Sequence, residues 1–398
     1  MKFSTLFLFS VLSLMLSACG GGGGGSSDNS SSSTADAGTN VASANANAGS
    51  SYTNSRPDIW IDYFSLSLPP GAGDLKDAIA YLDANGDGDT DVFMATGEYL
   101  LNGEVNSALF INQGATFVSS TAEFAGNMPP ATHARKSLVA DFDGNGLDDI
   151  FVLDHGFDSS PFPGSNPKLI MQNSVGSFSW EKLSDQTGFH HGGAAADIDN
   201  DGDIDIFVGG FDPFFYINNG SASFSVATNL FDSDLQKVFS AELIDIDEDG
   251  FVDLLVGAHE RDGDKTSIYW GSASGAYSDS NRTLVAAVNS FGAVLDFDAE
   301  DIDGDGDRDL VINRTRDGID GALGFYQGRT LQLLQHDGNR VFVDVTATNI
   351  DLPGGDIDNW FPWVRLQDID NDGDIDLGSD DSGDGVTYLN EAGFFTKQ

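Results

Sequence analysis

The stretch that decides the fold is DIDNDGDID, running from Asp197 to Asp205. Aspartates stand at its first, third, fifth and ninth positions, and Gly202 at its sixth. This spacing gathers oxygen atoms around a hard divalent cation and puts glycine where the chain must turn sharply. The pattern D-x-[DN]-x-[DN]-G-x-x-D recurs from Asp83, Asp141, Asp245, Asp301 and Asp368, and no copy breaks it. One such loop is weak evidence. Six in register read as a calcium-binding repeat array with up to six ions.

The copies recur at intervals of about 50–70 residues, a period that points to a propeller or a solenoid. The flanks choose between them. Short apolar or small runs precede the motifs, such as Ala78-Ile79-Ala80-Tyr81-Leu82 and Leu138-Val139-Ala140. Others follow, such as Ile150-Phe151-Val152, Ile206-Phe207-Val208 and Leu254-Leu255-Val256. Their length and β-branched or aromatic content predict buried strands, so each acidic loop joins two antiparallel neighbours. Later in the unit comes an apolar strand, an Asn/Gly turn and an aromatic strand. Examples are Ile111-Asn112-Gln113-Gly114 leading to Phe117, Tyr216-Ile217-Asn218-Asn219-Gly220 to Phe224, Tyr269-Trp270-Gly271 to Tyr277, and Tyr388-Leu389-Asn390 to Phe394. These are β-hairpins. Four strands per unit make one blade of an all-β propeller, with fourth-strand aromatics filling the wedge between blades. Six blades are expected over residues 51–398, with seven as the alternative. Trp60, Tyr63 and Phe64 are expected in a strand or plug that helps close the ring. An EF-hand is disfavoured, because it needs a bidentate Glu at position twelve, where this chain has Met94, Val152, Val208, Val256, Ile312 and Ser379.

These residues resemble the FG-GAP or VCBS repeat family, whose best-known relatives are the propellers of integrin α-subunits. Val256-Gly257-Ala258 echoes the family's eponymous segment. The resemblance covers about residues 75–398. It implies calcium ligation by side chains at positions one, three, five and nine and by the backbone carbonyl at seven. The implied ligands are Asp83, Asn85, Asp87, Asp89 and Asp91 in the first copy, and Asp141, Asp143, Asn145, Leu147 and Asp149 in the second. In the third they are Asp197, Asp199, Asp201, Asp203 and Asp205, and in the fourth Asp245, Asp247, Asp249, Phe251 and Asp253. The fifth supplies Asp301, Asp303, Asp305, Asp307 and Asp309, and the sixth Asp368, Asp370, Asp372, Asp374 and Asp376. Position seven uses only its backbone, so Leu147 costs little, whereas Asn85 and Asn145 lower the negative charge and the affinity. Alike and self-contained, the sites read as structural rather than catalytic.

The formal net charge is -45, and much of it is concentrated in the nonapeptides. A hydrophobic content of 40% with 29 Phe supports a folded core rather than a solvated acidic chain. No basic stretch exists to neutralise phosphates, which excludes nucleic acid as a partner. At the N-terminus, Lys2 precedes an apolar run over residues 3–16 that is short for a bilayer span, and then Leu16-Ser17-Ala18-Cys19. This resembles a bacterial lipobox. It implies a signal peptide over 1–18 and lipidation at Cys19, the sole cysteine. Residues 19–50, rich in Gly, Ser, Asn and Ala, read as a disordered tether. Gly20 after the cysteine favours the outer membrane by the same resemblance.

Blade topology sorts the loops to two ends. Opposite the acidic loops lie those that lead into the first strands and those that join the second and third. They carry His133, Arg135, His190, His191, His259, Arg261, Arg314, Arg316, Trp360 and Trp363. A cationic, aromatic-bearing face on an acidic body suits an anionic glycan or a protein ligand. No G-x-S-x-G, P-loop or H-E-x-x-H motif appears. The expected function is a membrane-anchored binding or adhesion module. The alternatives are a lyase-like polysaccharide enzyme on the same scaffold and a purely structural envelope protein.

Overall fold

The computed structural model describes residues 69–398, except 74, 98–101, 115, 184–186, 232–234, 236, 261–262, 288–291, 316–328, 352–363, 371 and 379–386, and except the side chains of 75–77 and 329. The expected signal peptide, Cys19, the tether and the strand at Trp60, Tyr63 and Phe64 lie outside the described residues. So do Arg261, Arg316, Trp360 and Trp363.

The chain builds one four-stranded antiparallel sheet after another. Blade 1 holds β1 (Leu75–Leu82), β2 (Asp91–Gly97), β4 (Ala108–Asn112) and β5 (Phe117–Ser120), while the short β3 (Val105–Asn106) pairs with β6 (Pro130–Ala131). Blade 2 holds β7 (Ala134–Ala140), β8 (Asp149–Asp154), β9 (Lys168–Ser174) and β10 (Ser177–Lys182). Blade 3 holds β11 (Gly193–Ala196), β12 (Asp205–Val208), β13 (Phe214–Ile217) and β14 (Ser225–Ala227). Blade 4 holds β15 (Val238–Ile244), β16 (Asp253–Ala258), β17 (Ser267–Tyr269) and β18 (Arg282–Leu284). Blade 5 holds β19 (Val294–Glu300), β20 (Asp309–Thr315), β21 (Arg329–His336) and β22 (Phe342–Asp344). Blade 6 holds β23 (Arg365–Gln367), β24 (Asp376–Gly378), β25 (Thr387–Glu391) and β26 (Phe394–Lys397). Among the described residues there are six such sheets, and one helical turn, α1 (Thr346–Asn349), follows β22.

First strands adjoin in succession: β1 with β7, β7 with β11, β11 with β15, β15 with β19 and β19 with β23. This is the radial order of a β-propeller. The acidic loops join first and second strands, as Ala196 pairs with Asp205 and Ile244 with Asp253. Second strands such as β2, β8, β16 and β20 are buried at every residue. A strand covered on both faces needs no polar alternation, which explains the continuous apolar runs. Outer strands such as β5, β14 and β22 are largely exposed.

The core lies between blades. Phe178, beside β9, packs with Ala78, Phe93 and Phe124 from the blade 1 side. Phe224 packs with Phe142 and Phe151 of blade 2, and Tyr277 with Phe207 and Phe215 of blade 3. Phe342 lies 6.4 Å from Trp270 of blade 4, stacked at 8°. In blade 6 the wedge residue is Phe395, buried, whereas Phe394 is 43% exposed. Alternation along β26 sends these neighbours to opposite faces.

Amide side chains stitch the blades. Asn218 Nδ2 donates to Phe142 O of the preceding blade at 2.8 Å and to Ile204 O at 3.1 Å. Asn390 Nδ2 repeats this with Ile302 O at 3.0 Å and Ile375 O at 2.9 Å. Gln172 Nε2 reaches Ala84 O at 3.2 Å. Nearer the axis, Lys136 of β7 pairs with Glu242 of β15, past the intervening β11. Asn218→Ala strips two buried carbonyls of their donor and should cost about 1–3 kcal/mol in urea unfolding with calcium present. Asn173→Ala, at an exposed position, should stay within about 0.5 kcal/mol and serves as the control.

Candidate functional site

All six acidic loops share one hydrogen-bond scheme. The first Asp accepts the amide of position five through Oδ1, at 3.0–3.2 Å. Its Oδ2 accepts the amide of the sixth-position glycine, at 2.8–3.1 Å. Those glycines, from Gly88 to Gly373, all have positive φ, between 84° and 100°. A side chain there would be strained, so glycine is required. The fourth position is left-handed too, at Gly86, Gly144, Asn200, Glu248 and Gly304. The position-seven amide is held by the fifth residue alike in Leu147, Asp203 and Phe251, so the side chain at seven does not set the backbone.

The ninth Asp does more than the sequence showed. It is buried in every copy, and its two oxygens accept two backbone amides. Asp91 takes Ala84 N at 2.9 Å and Asn112 N at 2.7 Å. Asp149 takes Phe142 N and Gln172 N, Asp205 takes Ile198 N and Asn218 N, and Asp253 takes Ile246 N and Gly271 N. Asp309 and Asp376 do the same with Ile302 N and His336 N, and with Ile369 N and Asn390 N. Each ninth Asp thus ties its own loop to the end of the third strand. The partners are some 13 to 27 residues away, apart from position two, so spacing alone does not reveal them.

The donor set suits a hard cation. One oxygen each from Asp141, Asp143 and Asp149 lie within 4.8 Å of one another, as do those of Asp197, Asp199 and Asp205, of Asp245, Asp247 and Asp253, and of Asp301, Asp303 and Asp309. Asp247 Oδ1 is buried with no hydrogen-bond partner. The carboxylates are also poised against their own charge. Burial, opposed by the amide bonds and assisted by neighbouring aspartates, pushes Asp91 up to about 6, Asp149, Asp205 and Asp309 to about 7, and Asp253 to about 8. Loop four differs: Arg340 of blade 5 donates to Asp247 Oδ2 at 2.5 Å and Asp249 Oδ2 at 3.0 Å, and lies 4.7 Å over the Trp270 ring.

At the opposite end, the loops of blades 2, 3 and 4 enclose a cavity of about 240 Å³. Its walls include Phe162, Phe189, Phe211, His191, Lys237 and Phe239, with Asp158 and His259. Phe189 stacks on His155 at 4.2 Å and on Phe211 at 5.2 Å. His191 packs on Phe239 at 3.7 Å, its Nδ1 2.8 Å from Phe239 O. Phe162 and Phe211 are 52% and 50% exposed. His190 turns away into the core, 6.0 Å from Phe214, as adjacent residues of an extended chain must. His133 lies under the cavity, its ring 4.1 Å from His155. Burial, then the neighbouring His155 and Arg135, hold the His133 imidazole down at about 2; burial and Arg135 hold His155 at about 3.

Arg314 departs from the expected ligand face. It is 1% exposed, and its Nη1 donates to Glu260 at 2.8 Å. The pairing of Arg314 with Val294 in β19 puts the guanidinium inside, where Glu260 is its counter-ion. Of the expected face residues, His191 and His259 line the cavity, and His133 with Arg135 lies beside it. Phe162, Phe189 and Phe239 were not singled out from the sequence; they come from three blades, and no local motif links them.

The fold and the loops define a β-propeller with an acidic loop of one geometry on each described blade. Comparison with known proteins agrees. The family described as FG-GAP-like repeat matches residues 83–152 and 245–312, each stretch spanning two acidic loops. The chain carries FG-GAP-like repeats in these two regions. It is 28% identical over 195 residues to integrin alpha-7 of Mus musculus, covering 44% of this chain and 15% of the relative. For integrin alpha-7 of Rattus norvegicus the figures are 27%, 44% and 16%. The chain therefore spans less than a fifth of these relatives. Among solved structures, an Agrocybe aegerita lectin, described as recognising non-reducing terminal N-acetylglucosamine, aligns with a TM-score of 0.44 at 18% identity, over 81% of this chain and 75% of the lectin. The V. cholerae biofilm matrix protein Bap1 aligns at 0.40 and 20%, over 70% and 40%.

The raised carboxyls set a direction for pH. Without a cation, Asp149, Asp205, Asp253 and Asp309 keep their protons in the fold at pH values where the unfolded chain has lost them. The cation-free protein should therefore lose stability as pH rises from about 4 to 8. Urea midpoints in EDTA across that range check this; a midpoint that rises steadily to pH 8 contradicts it.

Proposed function

We propose that this chain is a calcium-stabilised binding or adhesion module that takes a glycan on the end opposite its acidic loops. FG-GAP-like repeats support the class of function, and proteins with such repeats are typically extracellular or at the cell surface. The observation that carries the ligand reading is the aromatic cavity of about 240 Å³. Two half-exposed phenyl rings, Phe162 and Phe211, offer flat apolar faces to the C–H faces of sugar rings, and Lys237 offers a positive charge to an acidic substituent. Calcium fits the oxygen-only loops better than any softer ion. The N-terminal lipobox supports export and attachment through a lipidated Cys19, with the outer membrane as its destination. Among the described residues no helix is long and apolar enough to cross a membrane.

Calcium at the roughly 1 mM level of an extracellular space, against dissociation constants of about 0.1–1 mM, stabilises by about 0.4–1.4 kcal/mol per site. Several sites together should raise the melting temperature by at least about 5 °C over that in EGTA. An unchanged melting curve removes calcium from the reading. A glycan array with calcium present should show ligands whose affinity drops about tenfold in the Phe162→Ala/Phe211→Ala variant, with the melting temperature unchanged. Equal binding by the variant moves the site elsewhere, and release of unsaturated products from anionic polysaccharides would favour the enzyme alternative.

A further inference from the structure

Beneath the aromatic cavity lies a donor set of another chemistry. Blade 2 brings His133, which leads into β7, against His155 and Asp158, which follow β8. One ligand atom from each lies within 4.8 Å of the others. Asp154, at the end of β8, organises the group: its Oδ1 accepts His133 N at 2.9 Å and Gly156 N at 3.0 Å, and its Oδ2 accepts Thr132 N at 2.9 Å and pairs with Lys168. His155 N also donates to His133 O at 3.2 Å, so the two histidine-bearing segments are held together by backbone bonds.

The tautomer of His155 follows from its neighbour. Its Nδ1 lies 2.7 Å from Gly156 O, which can only accept, so Nδ1 carries the proton and Nε2 keeps its lone pair. Metal-ligating histidines are held in this way, one ring nitrogen donating to a backbone carbonyl while the other binds the ion. Arg135 is the cation beside these rings, and the exposed Asp158 carboxylate offsets it. Two imidazole nitrogens and one carboxylate suit a borderline ion such as Zn²⁺ or Co²⁺, whereas the acidic loops, oxygen throughout, suit Ca²⁺.

We propose that His133, His155 and Asp158 form a binding site for a zinc-class divalent cation, separate from the calcium loops. Asp158 also lines the aromatic cavity, so this carboxylate connects the donor set with it. Three protein ligands leave a coordination position for water or a ligand's oxygen. The site stands on the donor set alone and does not depend on the glycan reading.

The test uses the untagged full-length chain in saturating calcium, titrated with ZnCl2 by calorimetry and with CoCl2 by visible absorption. One equivalent of zinc is expected, with cobalt bands of a low-coordinate site that includes nitrogen donors. Asp158→Ala, at an exposed position, should weaken zinc binding at least tenfold, as should His133→Ala, with calcium-dependent melting preserved. His133 and His155 are both buried, so their variants are read only if they melt like the parent, whereas Asp158→Ala at its exposed position carries the test. Absence of zinc uptake in excess calcium overturns the proposal. So does uptake unchanged in Asp158→Ala, which would assign the ion to the acidic loops or another surface.

Discussion

A buried carboxylate that accepts two amides from distant parts of the chain is the contact on which this propeller depends. The ninth aspartate of each motif begins a second strand, closes its own loop through the amide at position two, and captures an amide at or near the end of the third strand. Burying a carboxylate is unfavourable unless its charge is met. Two amides meet part of it, and in four of the loops one of its oxygens also lies within 4.8 Å of oxygens from the first and third positions, a donor set that suits a cation. The loop, the sheet and the charge balance therefore hinge on one residue per blade. This is why the motif tolerates Leu147 or Phe251 at position seven but keeps Asp at nine in all six copies.

From that residue the order passes to the neighbouring blade. The strand end that the ninth aspartate captures also presents Asn218, Asn390 or Gln172, whose amides reach the preceding blade's loop. The equivalent place holds Gly271 in blade 4 and His336 in blade 5, and between blades 4 and 5 Arg340 spans Asp247, Asp249 and Trp270. A guanidinium thus does between blades 4 and 5 what amides do elsewhere, and it supplies positive charge to the fourth loop. The axial ion pair of Lys136 with Glu242 is fully desolvated, and such pairs add little net stability. Its effect is on register: Lys136 Nζ also donates to Ala241 O at 3.1 Å, so β15 meets the ammonium with two adjacent groups.

What could be read from the sequence was what is local. The acidic loops and the strands beside them are contiguous segments, and complete burial left their apolar runs unbroken. The hairpin of blade 2 was harder, because its turn at Ser174 and Gly176 carries no Asn-Gly signal. Phe394 and Phe395 show the limit of strand alternation: an error of one position exchanges core for solvent. Arg314 reads from the blade topology as a residue of the loop joining second and third strands, yet it is buried and its counter-ion Glu260 lies 54 residues away in sequence. The cavity was out of reach for the same reason, since Phe162, Phe189 and Phe239 converge only once three blades are placed side by side.

The two ends of the molecule are chemically unlike, and β8 shows how one supports the other. It begins at Asp149, the ninth residue of the second loop, and ends at Asp154, which accepts the amides of Thr132, His133 and Gly156. Both end residues are buried carboxylates holding backbone amides, and every residue between them is buried. They differ in how their charge is met. Lys168 pairs with Asp154, and although burial opposes ionisation, that pairing and the amides hold its carboxyl at about 2. Asp149 has no such partner among the described residues, and burial pushes it up to about 7. The cavity end is therefore neutralised from within the chain, while the charge of Asp149 at the loop end meets no Lys or Arg partner among the described residues. The aromatic end is held by contacts within the chain whatever ion the loops meet, while the order of the loop end rests on how the Asp149 charge is met.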